Sequence, residues 1–205
     1  MTRLTLPASV LGAVLPLPAR SPEQLERMAV RRSASAQMLV APGPTAAEID
    51  DILTLGARTP DHGKLFPWRF VVLGPQSRAE LVARLETLAT RQPQPDPARA
   101  TLAKLANPPL SILVISAPVR GHKVPVWEQE LSAGAVCMNL EHAASAMGYA
   151  TSWITDWYSY DPEAADLFGV QPGERIAGFI HVGSLTEAPL ERPRPNLSTK
   201  VTRLP

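Results

Sequence analysis

At 205 residues the chain has length for one sizeable hydrophobic core and is short for two full domains. A net charge of +1 and a pI near 8.0 exclude a general attraction for polyanions such as nucleic acid, so any anion must be recognised by a local cluster. A single cysteine, Cys137, excludes an intrachain disulfide and a thiolate metal cluster; it fits a reducing compartment, with the cytoplasm as the natural assignment.

The predicted elements begin after an arm, residues 1–20, whose short apolar patch is broken by Pro7, Pro16 and Pro18. The arm reads as weakly ordered, although Thr2-Arg3 and the small residues after Leu6 loosely imitate a cleaved signal. No apolar run reaches the roughly 18 residues that a membrane-spanning helix needs. Residues 21–205 read as a single domain. Ser21-Pro22-Glu23-Gln24 predicts a capped helix to about Val30, and Thr45 to Glu48 a capping box for a helix ending near Arg58 or Thr59, before Pro60.

Arg69 to Leu73 is a short apolar strand closed by Gly74-Pro75. Ser77 to Glu80 reads as another capping box, with Leu81, Val82, Leu85 and Leu88 striping a helix to about Arg91. The proline-rich segment Gln92 to Pro97 interrupts it, and a short helix near Ala98 to Leu105 follows. Leu110 to Ala117 predicts a core strand, and Trp127 to Met147 the longest helix, with small residues from Ser132 to Ala135 that let a backbone or flat ring come close. Tyr149 to Thr155 reads as a strand, Asp161-Pro162 opens a short helix ending at Gly169, and Arg175 to Val182 reads as a last strand of alternating character. Helices and strands mix without a βαβ repeat, which predicts an α+β sandwich of helices around one sheet. The tail, Glu187 to Pro205, is rich in Pro and Arg and reads as extended.

Hydrolase, nucleotide-loop and zinc-protease signatures are missing, and His62, His122, His142 and His181 do not stand at ligand spacing, so no metal site is expected. Four other groups carry chemistry. Arg31-Arg32-Ser33 offers two guanidinium forks beside a hydroxyl, suited to phosphate oxygens; equally, two arginines at a helix end answer its dipole. The loop Ala57 to Trp68 gathers Arg58, His62 and Lys64 between a helix end and a strand start, where a rigid frame would present them to a ligand. Gly121 to Gly134 leads His, Lys, Trp and two carboxylates into the small-residue helix, with Glu128 and Glu130 favouring its N-terminal dipole. Trp153-Ile154-Thr155 ends a strand with an indole and a hydroxyl.

In this order the Arg31-Arg32-Ser33 group, the P-D-H-x-x-x-x-P-W loop of Pro60 to Trp68, the HKVPVWEQELSAG stretch and the Trp153 strand resemble the nitroreductase family, most closely its small single-domain NAD(P)H nitroreductase branch. The likeness covers about residues 22–190. It implies a three-layer α+β sandwich with a mostly antiparallel central sheet, an intertwined homodimer with FMN at the subunit interface, and ping-pong transfer from NAD(P)H to a nitroaromatic, quinone-like or other electrophilic acceptor. In that scheme Arg31, Arg32 and Ser33 match an FMN-contacting group, and Arg58 and His62 match positions that reach the flavin from the partner subunit. Trp153, Ile154 and Thr155 match the strand beside the cofactor, and Ala143 matches a nicotinamide contact. The flavin transfers hydride, so no catalytic side chain is required. The same architecture also supports a non-catalytic FMN carrier, reductive dehalogenation or flavin modification, for which Gln92 to Pro97 is the candidate lid. The broader family commonly reads P-S-x-x-N-x-Q-P-W, where this chain has Asp61, Lys64 and Phe66, and Ile154 stands where the closer branch often has Arg. A displaced contact would fall to Lys64, Arg192 or Arg194.

Overall fold

The computed structural model describes residues 6–7 and 10–204; the Thr2-Arg3 pair of the signal-like reading lies outside them. Residues 10–21 contain no helix or strand and are exposed. Helix α1 (Pro22–Val30) is capped by Ser21, whose hydroxyl accepts from Gln24 N. In α2 (Ala46–Gly56) both halves of the capping box form: Glu48 N donates to Thr45 Oγ1, and Thr45 N donates to Glu48 Oε2. Strand β1 (Trp68–Leu73) leads to α3 (Pro75–Ala89), which starts three residues before the Ser77 reading, because Gly74 is the N-cap and Pro75 supplies a ready-set φ at the first helical position. The proline segment likewise yields helix sooner than predicted, with α4 (Pro95–Thr101) opening on Pro95 before α5 (Ala103–Ala106). The remaining elements are β2 (Leu110–Ser116), α6 (Val126–Ala146), β3 (Ala150–Ile154), α7 (Pro162–Leu167) and β4 (Arg175–Gly183).

All four strands pair antiparallel in the order β1-β2-β4-β3. Strand β2 is buried along its whole length because helices cover both faces. Its side chains alternate: Leu110, Ile112 and Val114 join Ile52, Val136, Cys137 and Leu140 beneath α2 and α6, while Leu113 and Ile115 join Leu85, Leu105, Phe168 and Phe179 on the other face. Each such side chain, fully buried, contributes about 1.5–3 kcal/mol. The two-sided cover also explains why β4 is buried almost throughout, against its alternating reading. At the α2–α6 crossing a Cβ on Gly56 would meet Leu140 Cδ2 at 2.5 Å, so a glycine there sets how closely the helices approach. The result is helices, sheet, helices: a three-layer α+β sandwich.

Candidate functional site

The sequence-marked residues fall around α6, and they fall in two places. Near its C-terminal half, Arg31 Nη1 donates to Ser33 Oγ at 3.3 Å and stands 3.9 Å from the buried carboxylate of Glu141. Thr151 Oγ1 donates to the same carboxylate at 3.0 Å, and Ala34 N donates to Thr151 O at 2.8 Å, so the segment after α1 is stitched to the start of β3. Glu141 is thus a buried partner of Arg31. Arg32 Nε donates to Leu190 O at 2.8 Å, and Arg194 Nη2 donates to Arg31 O at 3.1 Å, which brings the tail over this group. Arg27, Arg31, Arg32, Tyr149 and Thr151 line an open cavity of about 480 Å³ whose far wall is Ser184 to Pro189.

At the N-terminal end of α6 lies the loop from Ala57 to Pro67. Thr59 Oγ1 donates to Gly56 O and accepts from Asn139 Nδ2, and Ser132 Oγ donates to Pro60 O at 2.9 Å while accepting from Trp68 Nε1. Within the loop, Asp61 Oδ2 accepts from Leu65 N and Phe66 N. Those two bonds hold Lys64 (φ 56°) and Phe66 (φ 48°) in the left-handed region, which costs a non-glycine residue about 1–2 kcal/mol. Strain of this kind collects where a surface is shaped for use. Asp61 is therefore the loop's internal clamp. His62 Nδ1 meets Glu128 Oε2 of α6 at 2.7 Å, and Arg58 sits just past α2 with its backbone N–H on Leu55 O. Next to Glu128, Gln129 is buried and both donates to Val119 O and accepts from Val119 N, which fixes the segment leading into α6.

The third group is the end of β3, an edge strand. The β2–β4 register slips between Val114↔Gly178 and Ile115↔Ile176, so Ala177 bulges out, and its carbonyl accepts from Trp153 Nε1 at 3.2 Å. The pyrrole edge of the indole covers Gly178, where a Cβ would stand 2.1 Å from Nε1, and its far edge lies 4.0 Å from where a Cβ on Gly134 of α6 would stand. Ile154 is half-buried, and Thr155 Oγ1 pairs with Tyr160 OH at 2.8 Å.

Glu128 and Glu141 are thirteen positions apart, so the loop group and the arginine group lie about 20 Å apart along α6. Within one chain Arg31 and His62 do not meet. Ala143, at 5% exposure, packs beside Leu140 and Ala144 in the core cluster under α6, because the helical repeat turns it toward the sheet. In the Gln92 to Pro97 segment, Gln92 Nε2 donates to Asp161 Oδ2 at 2.8 Å and Pro95 opens α4, while residues 93–97 are exposed. Glu128, Glu141 and Gly178 are the residues that sequence reasoning missed as members of these groups; the first two stood out only as helix carboxylates, and no local signal marks the third. Burial, then the neighbouring Glu141, pushes the Cys137 thiol up to about 12, consistent with a packing residue rather than a nucleophile. Among the described residues no group of three or more His, Cys, Asp or Glu could hold a metal, and no helix is long and apolar enough to cross a membrane.

This helix–sheet–helix sandwich is matched by the model of the Nitroreductase family over residues 28–184. The chain belongs to that family. The Escherichia coli K12 protein named "Putative NAD(P)H nitroreductase YdjA" is 36% identical over 166 residues, which cover 79% of this chain and 88% of that protein. Among solved structures, the nitroreductase-like family protein from Bacillus cereus aligns with a TM-score of 0.78 at 18% identity, covering 94% of this chain and 99% of that one. A nitroreductase with bound FMN from Bacteroides fragilis aligns with a TM-score of 0.70 at 19% identity, covering 90% of this chain and all of that one.

Proposed function

We propose that the chain is an FMN-dependent oxidoreductase of a reducing cytoplasm that takes reducing equivalents from NAD(P)H and passes them to a nitroaromatic, quinone-like or other electrophilic small molecule. Residues 21–205 are its FMN-binding unit, working as a homodimer. The observation that carries this reading is the cavity lined by Arg27, Arg31 and Arg32 beside Thr151, whose charge-assisted donors fit a phosphate monoester better than any neutral ligand. FMN would carry its phosphate there and, when bound, supplies two-electron hydride chemistry. Arg31 and Arg32 hold the anion, Ser33 orients Arg31, and Glu141 keeps the Arg31 fork turned toward β3.

The 20 Å between the arginine group and the loop supports the dimer: a site that uses both Arg31 and His62 draws them from two chains. In such a pair, Arg58 and His62 of one protomer face the flavin held by the other, beside its Trp153, Ile154 and Thr155. These residues position the ring and tune its surroundings while the acceptor and nicotinamide occupy its open face in turn. Purified protein loaded with FMN should lose its flavin absorbance on adding NADH or NADPH under anaerobic conditions and regain it with a nitroaromatic. A protein that binds FMN but fails both steps is a carrier, and one that binds no FMN ends the proposal. Arg31→Ala combined with Arg32→Ala should weaken FMN binding by about 1.5–3 kcal/mol for each charge-assisted hydrogen bond removed. Wild-type FMN affinity in that double variant would reject the phosphate assignment.

A further inference from the structure

Across 66 positions of sequence, the imidazole of His62 meets the carboxylate of Glu128 at 2.7 Å. Glu128 lies in the first turn of α6, where its carboxylate is also favoured by the helix dipole. The contact uses Nδ1, so it fixes the plane of the imidazole and leaves Nε2 to a ligand. The loop bearing His62 is itself immobilised: Ser132 holds Pro60 O, and Asp61 holds the amides of Leu65 and Phe66. A histidine at 62% exposure on a floppy tether would be unremarkable; one braced from both sides and by a carboxylate is placed for a task.

We propose that Glu128 is the positioning residue for His62 and that His62 is the proton donor to the bound electron acceptor. The inference rests on the proposed function, in which His62 faces the flavin. Reduction of a nitro group to a nitroso group takes one hydride and one proton, breaks one N–O bond and releases one water. With FMN bound, the hydride and its two electrons would come from the reduced cofactor, and His62 would give the proton from the Nε2–H of its imidazolium as that N–H bond breaks. In the imidazolium both nitrogens donate, Nδ1 to Glu128 and Nε2 to the acceptor oxygen, and the exposed ring regains its proton from solvent. The charged groups to weigh are Glu128 from α6, which meets the ring, Arg58, Asp61 and Lys64, which share its loop in sequence, and His122 from the segment before α6, which approaches the adjoining Gly63. Of these, Asp61 is turned to backbone amides, and His122 Nδ1 accepts from Val124 N, with its Cε1 3.9 Å from a Cβ built on Gly63. Glu128 is thus the carboxylate that engages the ring.

Two measurements test this. In flavin-free protein, 15N-histidine spectra should show a hydrogen-bonded Nδ1–H on His62 that disappears in Glu128→Ala. In FMN-loaded protein, stopped-flow reoxidation of the reduced enzyme by a nitroaromatic should slow as pH rises. His62→Ala and Glu128→Ala should each be about tenfold or more slower with a flat pH profile, on the scale of general acid catalysis, and slowed by a larger factor than their reduction by NAD(P)H. Glu128→Asp should restore part of the rate and slope. Glu128→Gln keeps the side-chain shape if the alanine variant does not fold, and it should retain the ring contact but slow the reaction. Wild-type rates and pH profiles in the His62 and Glu128 variants would overturn the proposal, as would equal slowing of both half-reactions, which would mean that the pair only seats the cofactor. Wild-type protein that binds no FMN would instead sink the underlying function, so the two failures are distinct.

Discussion

Two histidines of this chain each stand 2.7 Å from a partner through Nδ1, and they share little else. His181 sits in the middle of β4, paired in register with Ser111 of β2 and Ser152 of β3, and its ring bonds Ser111 Oγ with no exposure to solvent. Burial, and then the Arg78 guanidinium nearby, pushes it down to about 3, so it is neutral in the folded protein. His62 makes its contact at the surface with a carboxylate. Equal hydrogen-bond lengths therefore say little about purpose. A sealed imidazole can only pack and accept or donate one fixed bond, whereas a braced and open one can exchange its proton with whatever arrives.

Acid should break the comparison most strongly. An unfolded chain protonates His181 near 6.5, and the folded chain resists until about 3. Its contribution is therefore complete above pH 6.5 and falls away as pH drops from 6.5 toward 3, a loss on the order of 4 kcal/mol. Urea unfolding midpoints across that range check this, and His181→Gln should flatten the acid limb. A smaller effect is expected at Arg78, whose Nη1 donates to Leu73 O and Pro109 O inside the fold. Arg78→Met should cost about 2–3 kcal/mol by leaving those carbonyls unpaired, and should shorten the acid limb of His181 by raising its lower end, because a nearby cation is gone. The smallest effects belong to the open histidine. Glu128→Gln should change stability by less than about 1 kcal/mol and His62→Ala by less than about 0.5 kcal/mol in thermal melts. A large loss at either position would show that the loop contact is structural after all.

What the sequence disclosed followed the reach of its signals. Local chemistry was legible: the Thr45 box forms in both directions, the strand cores fall where the apolar runs lie, and the Arg31–Ser33 contact spans two positions. The Ser77 box misled because Gly74-Pro75 starts the helix sooner, placing Ser77 inside it. Partners distant in sequence were not legible. Nothing near Glu128 points to His62, nothing near Glu141 points to Arg31 or Thr151, and the inward turn of Ala143 depends on which face of α6 the sheet covers. Strand order and the bulge at Ala177 are likewise products of assembly.

The seat of Trp153 on Gly178 has an evolutionary consequence. With Nε1 2.1 Å from where a Cβ would stand, no side chain at 178 is compatible with this indole in this pose. A lineage could enlarge position 178 only after surrendering Trp153, and a descendant without the tryptophan would no longer be selected to keep the glycine. The two sites should therefore vary in a fixed order, and the residue at 178 would record whether an aromatic ring has been retained beside the proposed flavin site.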